Sequence, residues 1–236
     1  MVLRATGLNP ATESLMQWIQ QQADDRRDDY ELARRYYGGE HDTAITDRLK
    51  KFLPPRMAFR DNFMNVVVDS LAERLKVIGF NSEDEDFAEW SWNLWQQNRM
   101  DYVQVVVHTE AVMLGDSYII CDWDPEAERP RWTHQMPEMI LPHYNETTRQ
   151  IDWVSKKWIS HPNIGDEPET RLNLYYPDRV EKYRAKGGIW SPYQDDMDEE
   201  WPVPWLDRTG APLGIPLIHF RNRPMGGDFG QSEIIN

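Results

Sequence analysis

The sequence predicts an α+β protein, helices first and a mainly antiparallel β region second. Apolar residues recur at three- and four-residue steps up to Leu114, Gly115 marks a change of texture, and short β-prone runs then alternate with turn signals. The 236 residues, 40% hydrophobic and 12% aromatic, suffice for one large domain or two small ones. The division expected from the texture is a helical part over residues 1–115 and a β-rich part over 116–236.

The first helix starts near Thr12. Leu15, Trp18 and Ile19, then Tyr30, Ala33 and Tyr37, fall on one stripe before the stop at Gly38-Gly39. Between them Asp24 to Asp29 alternates acidic and basic pairs, a solvated face or a break between two helices. His41 to Pro55 reads as connector with a short helix around Asp47 to Phe52, closed by Pro54-Pro55. Phe59, Phe63, Val66, Val67, Ser70, Leu71 and Arg74 then form the apolar stripe of a helix that Gly79 ends. Asn81 to Asp84 offers caps for a helix carrying Phe87, Trp90, Leu94 and Trp95, and Asp101 caps another that runs to Leu114.

Strands are expected at Tyr118 to Trp123, Ile151 to Ile159, Arg171 to Tyr176, Arg179 to Ala185 and Pro216 to Phe220, several pairing as antiparallel hairpins. Turns fall at Asp124-Pro125, Asn145-Glu146, Pro177-Asp178 and Gly187-Gly188, and Ser191 to Pro204 reads as an acidic loop. Gly115, between the last helix and the first strand, needs a positive φ, so Gly115→Val should cost at least about 1 kcal/mol.

Charge narrows the partners. With 40 acidic against 26 basic residues, a formal net charge of -14, most of the surface repels duplex nucleic acid. The single cysteine, Cys121, excludes an intramolecular disulfide and a two-cysteine zinc site. No apolar run approaches the roughly 20 residues of a membrane span, and Met1 to Pro10 has no signal-peptide core, so a soluble, non-exported protein is expected. The sequon Asn145-Glu146-Thr147 is accordingly a turn.

Several residues invite a chemical reading. His108-Thr109-Glu110 matches the H-x-E element of zinc deaminases, but the chain lacks the P-C-x-x-C partner. Asp122 and Asp124, two apart in an extended run, point to one face as a magnesium site would require; a wet-side Asp122 and a turn-starting Asp124 are the plainer reading. Asp228-Phe229-Gly230 spells a kinase triplet without the other kinase elements. Arg221 and Arg223 beside a glycine-rich turn lack the phosphate-loop order and read as a structural loop or subunit contact. The 11 tryptophans are expected in core or interface packing, with base stacking as an alternative. The enzyme reading is therefore a metal-dependent hydrolase or nuclease using His108, Glu110, Asp122 and Asp124, and another alternative is an acidic adaptor that binds a protein.

A longer series ties the chain together. It comprises Tyr36-Tyr37-Gly38 with His41, DNFMNVVVDSLAERLKVIGF from Asp61 to Phe80, Trp95 with Asn98 and Asp101, HTEAVMLGDSYI, and PLIHFRNRP with GQSEI. In order and spacing it resembles the amino-terminal half of portal proteins from long-tailed bacteriophages, over roughly Leu32 to Ile234. The matching positions are Tyr37, Gly38, Asn62, Asp69, Arg74, Gly79, Gly115, Asp116, Ser117, Tyr118, Arg221, Asn222, Gly230 and Ser232.

The resemblance implies a structural subunit with no catalytic residue, metal or cofactor. It implies a dodecameric ring of copies at one capsid vertex, through which duplex DNA passes without specific binding. Packaging terminase, capsid and head–tail connector are the implied partners; the location is the virion, and the host cytoplasm during assembly. By the same resemblance this segment is the wing, Ser232-Glu233-Ile234 begins the helix towards the stem, and stem, clip and crown lie beyond Asn236.

Overall fold

Helix α1 (Pro10–Tyr37) runs unbroken for 28 residues. The break allowed for at Asp24 to Asp29 does not occur. That stretch holds no glycine or proline, and Arg27 pairs with Asp24 one turn away, while Gln20 donates to Asp24 at 2.7 Å. Met16, Ile19, Tyr30 and Ala33 are buried along the helix, as its spacing requires.

The computed structural model describes residues 10–40, 62–161, 167–195 and 198–235. The expected connector at His41 to Pro55 and its short helix around Asp47 to Phe52 lie outside them. Among the described residues the other α-helices are α2 (Met64–Ala72), α3 (Glu85–Gln97) and α4 (Met100–Leu114). The strands are β1 (Asp116–Asp124), β2 (Arg129–Gln135), β3 (Ile140–Tyr144), β4 (Ile151–Ser160), β5 (Glu169–Tyr175), β6 (Arg179–Lys186), β7 (Ile189–Pro192), β8 (Val203–Pro204) and β9 (Leu217–Arg221). The expected α+β order, helices before antiparallel strands, is what the chain adopts. No helix among the described residues is long and apolar enough to cross a membrane.

The chain divides into two compact units. One comprises residues up to Arg27 with Tyr118–His219, the other Asp28–Ser117 with Phe220–Asn236. In the first, β3-β4-β5-β6-β7 form an antiparallel sheet with β8 added beside β6, and β2-β1-β9 form a smaller one. Tyr118 and Ile120 of β1 pack with Ile140 and Val154, and Tyr175 and Leu217 close over them. The turns behave as their residues dictate. Asp124 accepts from the amides of Glu126 and Ala127 at 3.1 Å, Asn145 from those of Thr147 and Thr148 at 3.0 Å, and Gly187-Gly188 take φ of 55° and 83° between β6 and β7. All five expected strands are present; β2, β3, β7 and β8 were not anticipated. β2 (RPRWTHQ) and β3 (ILPHY) carry prolines, which argue against strands by composition, and β7 and β8 break up the expected loop from Ser191.

In the second unit, Tyr30 and Ala33 of α1, Val68 of α2 and Val112, Met113 and Leu114 of α4 form the core, with Ile234 and Ile235 against it. Burying each such large apolar side chain is worth about 1.5–3 kcal/mol.

Here the apolar stripe misled. α2 ends at Ala72 rather than at Gly79, and it buries Val68 and Ala72, while Phe63, Val66, Val67 and Leu71 face solvent. The reason lies on α4. The side-chain oxygen of Gln104 accepts from the Val77 amide at 2.8 Å, and His108 Nδ1 sits 2.6 Å from the Leu75 carbonyl oxygen. Those two bonds take up backbone groups that a longer helix would have paired within itself.

α3 starts as expected, with Asp84 accepting from the Phe87 amide at 3.2 Å. Leu94 and Trp95 are buried, but Trp90 is exposed. α4 starts differently from the expectation. Arg99, at φ 54°, precedes it without a side-chain cap, and Asp101 instead accepts from the Trp95 indole at 3.1 Å.

Candidate functional site

The motif residues near Gly115 converge on one junction within the second unit. α4 ends at Gly115, whose φ of 95° matches the positive value expected, and its amide donates to Ala111 O at 2.8 Å. A Cβ at Gly115 would lie 2.8 Å from Gly230 O, 2.9 Å from Gly230 C and 3.0 Å from Gln231 C, all of them backbone. Two glycines therefore mark a close crossing of main chains, which explains why two segments 115 residues apart in the series both need glycine.

Buried polar groups lock that crossing. Asp116, fully buried, accepts from the Gly230 amide at 2.8 Å, and the Asn222 amide donates to Gly115 O at 2.8 Å. The Asn222 side chain donates to Gln231 O at 2.8 Å and to Glu233 at 3.0 Å. Ser232 donates to Met113 O at 2.6 Å while accepting from the amides of Ile234 and Ile235 at 3.1 and 3.2 Å. Bonds from one hydroxyl to amides two and three residues on are those of a helix N-cap. Ser117 donates to Glu110 at 3.1 Å, and Glu110 takes Arg34 at 3.0 Å on its other oxygen.

A second cluster lies at the end of α1. Tyr37 donates to Asp69 at 2.8 Å, and burial together with that carboxylate raises the phenol's pKa. Asn62 donates to Tyr37 O at 2.7 Å and accepts from the Met64 amide at 3.1 Å, so it ties α1 to the start of α2. The Gly38 amide donates to Arg34 O at 2.9 Å, and Gly39 takes φ 77° beside Asn62. The other motif positions are not brought into these clusters. Arg74 lies in the turn that follows α2, and a Cβ at Gly79 would meet nothing within 4 Å. Arg221 ends β9, and Tyr118 belongs to the first unit, stacked on His219 at 4.4 Å between ring centres.

The four residues of the hydrolase reading each have a structural occupation. His108 meets the Leu75 carbonyl and Glu110 holds Arg34 and Ser117. Asp122 lies opposite Arg131 in the β1–β2 register and takes it with two bonds of 3.0 and 2.8 Å. Asp122 and Asp124 do share a face, yet an arginine occupies it, with Arg131 4.0 Å from Asp124 as well. Among the described residues no three His, Cys, Asp or Glu side chains are placed to hold a metal ion. Burial, then Asp122, pushes the Cys121 thiol up to about 11, so it remains protonated at neutral pH. Accordingly, millimolar Mg²⁺ or Mn²⁺ is expected to leave the melting temperature unchanged. A saturable stabilisation abolished by Asp122→Asn would reverse this, because a cation bound to the native state at a hundred times its Kd adds about 2.7 kcal/mol.

Two features of this geometry were not anticipated. The Arg34–Glu110 pair joins α1 to α4 across 76 positions, and no local pattern signals it. Glu169, buried at the start of β5, is held by Arg171 at 2.6 Å and Lys186 at 3.3 Å. Its alternation with Arg171 put both on one face of an extended run, which was the only available hint.

The motif side chains thus bond mainly to backbone, in a fold of helices followed by antiparallel sheets. The chain belongs to the phage portal protein family of the SPP1 Gp6-like type, whose model matches residues 16–229. It is similar to the portal protein of Mycobacterium phage D29, 28% identical over 181 residues that cover 73% of this chain and 34% of that protein. The portal protein of Mycobacterium phage L5 is 29% identical over 183 residues, with the same two shares, 73% and 34%. The chain therefore spans about a third of the length of these curated relatives.

Proposed function

We propose that this chain is the wing of a phage portal subunit, a structural part of the ring at the capsid vertex through which DNA is packaged and ejected. The observation that carries the reading is membership of the portal family over residues 16–229. The N-cap geometry of Ser232 supports a helix starting there, the element expected to lead towards the stem. On this reading the helical 1–115 and β-rich 116–236 parts form one wing without catalytic residues or a cofactor, in the virion and, during assembly, in the host cytoplasm. Copies of the full-length protein form the ring, usually twelve-fold, while terminase, capsid and connector dock mainly through regions outside this segment. The net charge of -14 suits a conduit that lets duplex DNA pass without holding it.

Ring closure requires two different complementary faces on each subunit. The 236-residue chain alone is expected to be a monomer or weak associate, and the same segment followed by a carboxy-terminal portion of the length its relatives carry is expected to form a closed ring. Native mass spectrometry of both decides. A longer polypeptide that stays monomeric under all assembly conditions would overturn the portal reading, whereas a ring formed by the 236 residues alone would overturn only the expected weakness of the short chain.

A further inference from the structure

From Asn81 to Gln97 the chain carries five acidic residues, Glu83, Asp84, Glu85, Asp86 and Glu89, and no basic one. Asp84 is used as the N-cap of α3. Glu85 and Asp86 sit in the first helical turn, where the helix dipole alone would favour them. The dipole does not account for what stands among these carboxylates. Phe87 and Trp90 are 56% and 53% exposed and stack on each other at 5.9 Å with an interplanar angle of 25°. On the helix surface Trp90 neighbours both Phe87, three positions before it, and Asp86, four before it, while Trp95 makes its own ring contacts with Phe80 and Trp92. Among the described residues none of Glu83, Glu85, Asp86 and Glu89 forms an ion pair.

We propose that this face of α3 is a docking surface for a cationic polypeptide, a lysine- or arginine-rich segment of another protein whose apolar side chains cover Phe87 and Trp90. Charge complementarity selects the occupant. Nucleic acid is repelled by the same carboxylates, and a second copy brings a further net charge of -14 rather than a basic surface. The paired rings supply what charge alone does not. An indole face flanked by carboxylates attracts a guanidinium or ammonium through its quadrupole and buries the aliphatic stem of the same side chain. The apolar stripe of α2 has no comparable charge to name its occupant. This proposal stands apart from the ring reading and holds or fails without it.

The test uses the intact chain and a fluorescent peptide of lysine and leucine at helical spacing, with a glutamate-and-leucine peptide as control, followed by anisotropy at low and high salt. Binding of the lysine peptide alone, weakened by salt, is expected. Glu83→Gln/Asp86→Asn/Glu89→Gln, which keeps the Asp84 cap, and separately Trp90→Ala, are each expected to weaken it at least about tenfold. Glu126→Gln/Glu146→Gln/Glu167→Gln, with the same change in net charge on exposed residues of the first unit, is expected to leave it unchanged. Circular dichroism verifies that α3 persists in each variant, and Trp90 is exposed enough for its truncation to spare the core. Equal weakening by the distant triple variant, or full binding by Trp90→Ala, overturns the proposal. So does a change of oligomeric state on altering α3 with peptide binding intact, which would assign the face to another copy.

Discussion

Gly115→Val is expected to lower the free energy of unfolding by about 3 kcal/mol or more, the sum of a positive φ forced on a β-branched residue and an overpacked main-chain crossing. The first contribution comes from φ 95°, the second from Gly230 O and C and Gln231 C, which a Cβ would meet at 3.0 Å or less. None of these atoms belongs to a side chain that could swing away. Gly230→Ala should be costly through the second contribution alone, because its Cβ meets Gly115 O and both Asn222 N and O. The two substitutions strain one contact, so their costs should not add. Gly79→Ala is the control, since its Cβ meets nothing within 4 Å, and its midpoint in urea should stay within error of the parent. A Gly115→Val midpoint equal to that of Gly79→Ala would mean that the crossing is not as tight as described.

That junction shows how far the sequence can be read. A glycine after an apolar helical run and before a β-prone run announces a positive φ by local chemistry, and the structure has it. That Gly230 lies against it was not legible, because contact between positions so far apart depends on the path of the chain. Asp116 reads locally as a turn residue, and its actual partner is the Gly230 amide. α2 failed for a related reason. Its stripe of Phe63, Val66, Val67 and Leu71 has the period of a buried face, but period reports that one face is apolar, not which surface covers it. Its end was set by Gln104 and His108, side chains of another helix. Among the strands, β4, β5 and β6 were legible from alternation and named turns, whereas β3, with a proline, gains its place by pairing in register with β4.

The candidate site divides in the same way. The carboxylates and histidine that suggested a metal stand out by type and spacing alone, and Asp122 and Asp124 do share a face. Their chemistry was decided by Arg131 on the neighbouring strand, Arg34 on α1 and a backbone carbonyl, none of which spacing along the chain can supply. What did survive from sequence alone was the ordered series of short motifs, because it samples the whole path at once.

Arg171→Ala is expected to cost about 3 kcal/mol, the range for leaving one member of a buried ion pair without its partner. Glu169 is 1% exposed, and Arg171 Nε donates to it at 2.6 Å. Lys186 alone, from an exposed position at 3.3 Å, would remain beside the carboxylate. The guanidinium also reaches Asp195 at 3.3 Å and stacks over the Tyr193 ring at 3.8 Å, so the substitution loosens the segment that leaves β7. Lys182 holds that segment independently through Asp195 and Asp198 at 2.8 and 2.7 Å, which keeps the unit folded and the measurement interpretable. The pH dependence has a definite sign. Burial raises the Glu169 pKa, the bonds to Arg171 and Lys186 outweigh it, and the net shift is downward from the ordinary carboxylate value. A depressed carboxyl contributes stability that is fully present above its unfolded pKa, about 4.3, and is lost as pH falls through the folded value below it. The cost of Arg171→Ala, measured by urea denaturation, should therefore be largest near neutral pH and shrink below about pH 4, where a protonated Glu169 no longer needs a cation. Glu169→Gln should flatten the same acid limb in the parent while costing less than Arg171→Ala, because it removes the buried charge instead of abandoning it. A cost for Arg171→Ala that stays constant across the acid range would assign the role of Arg171 to packing on Tyr193 and not to the buried carboxylate.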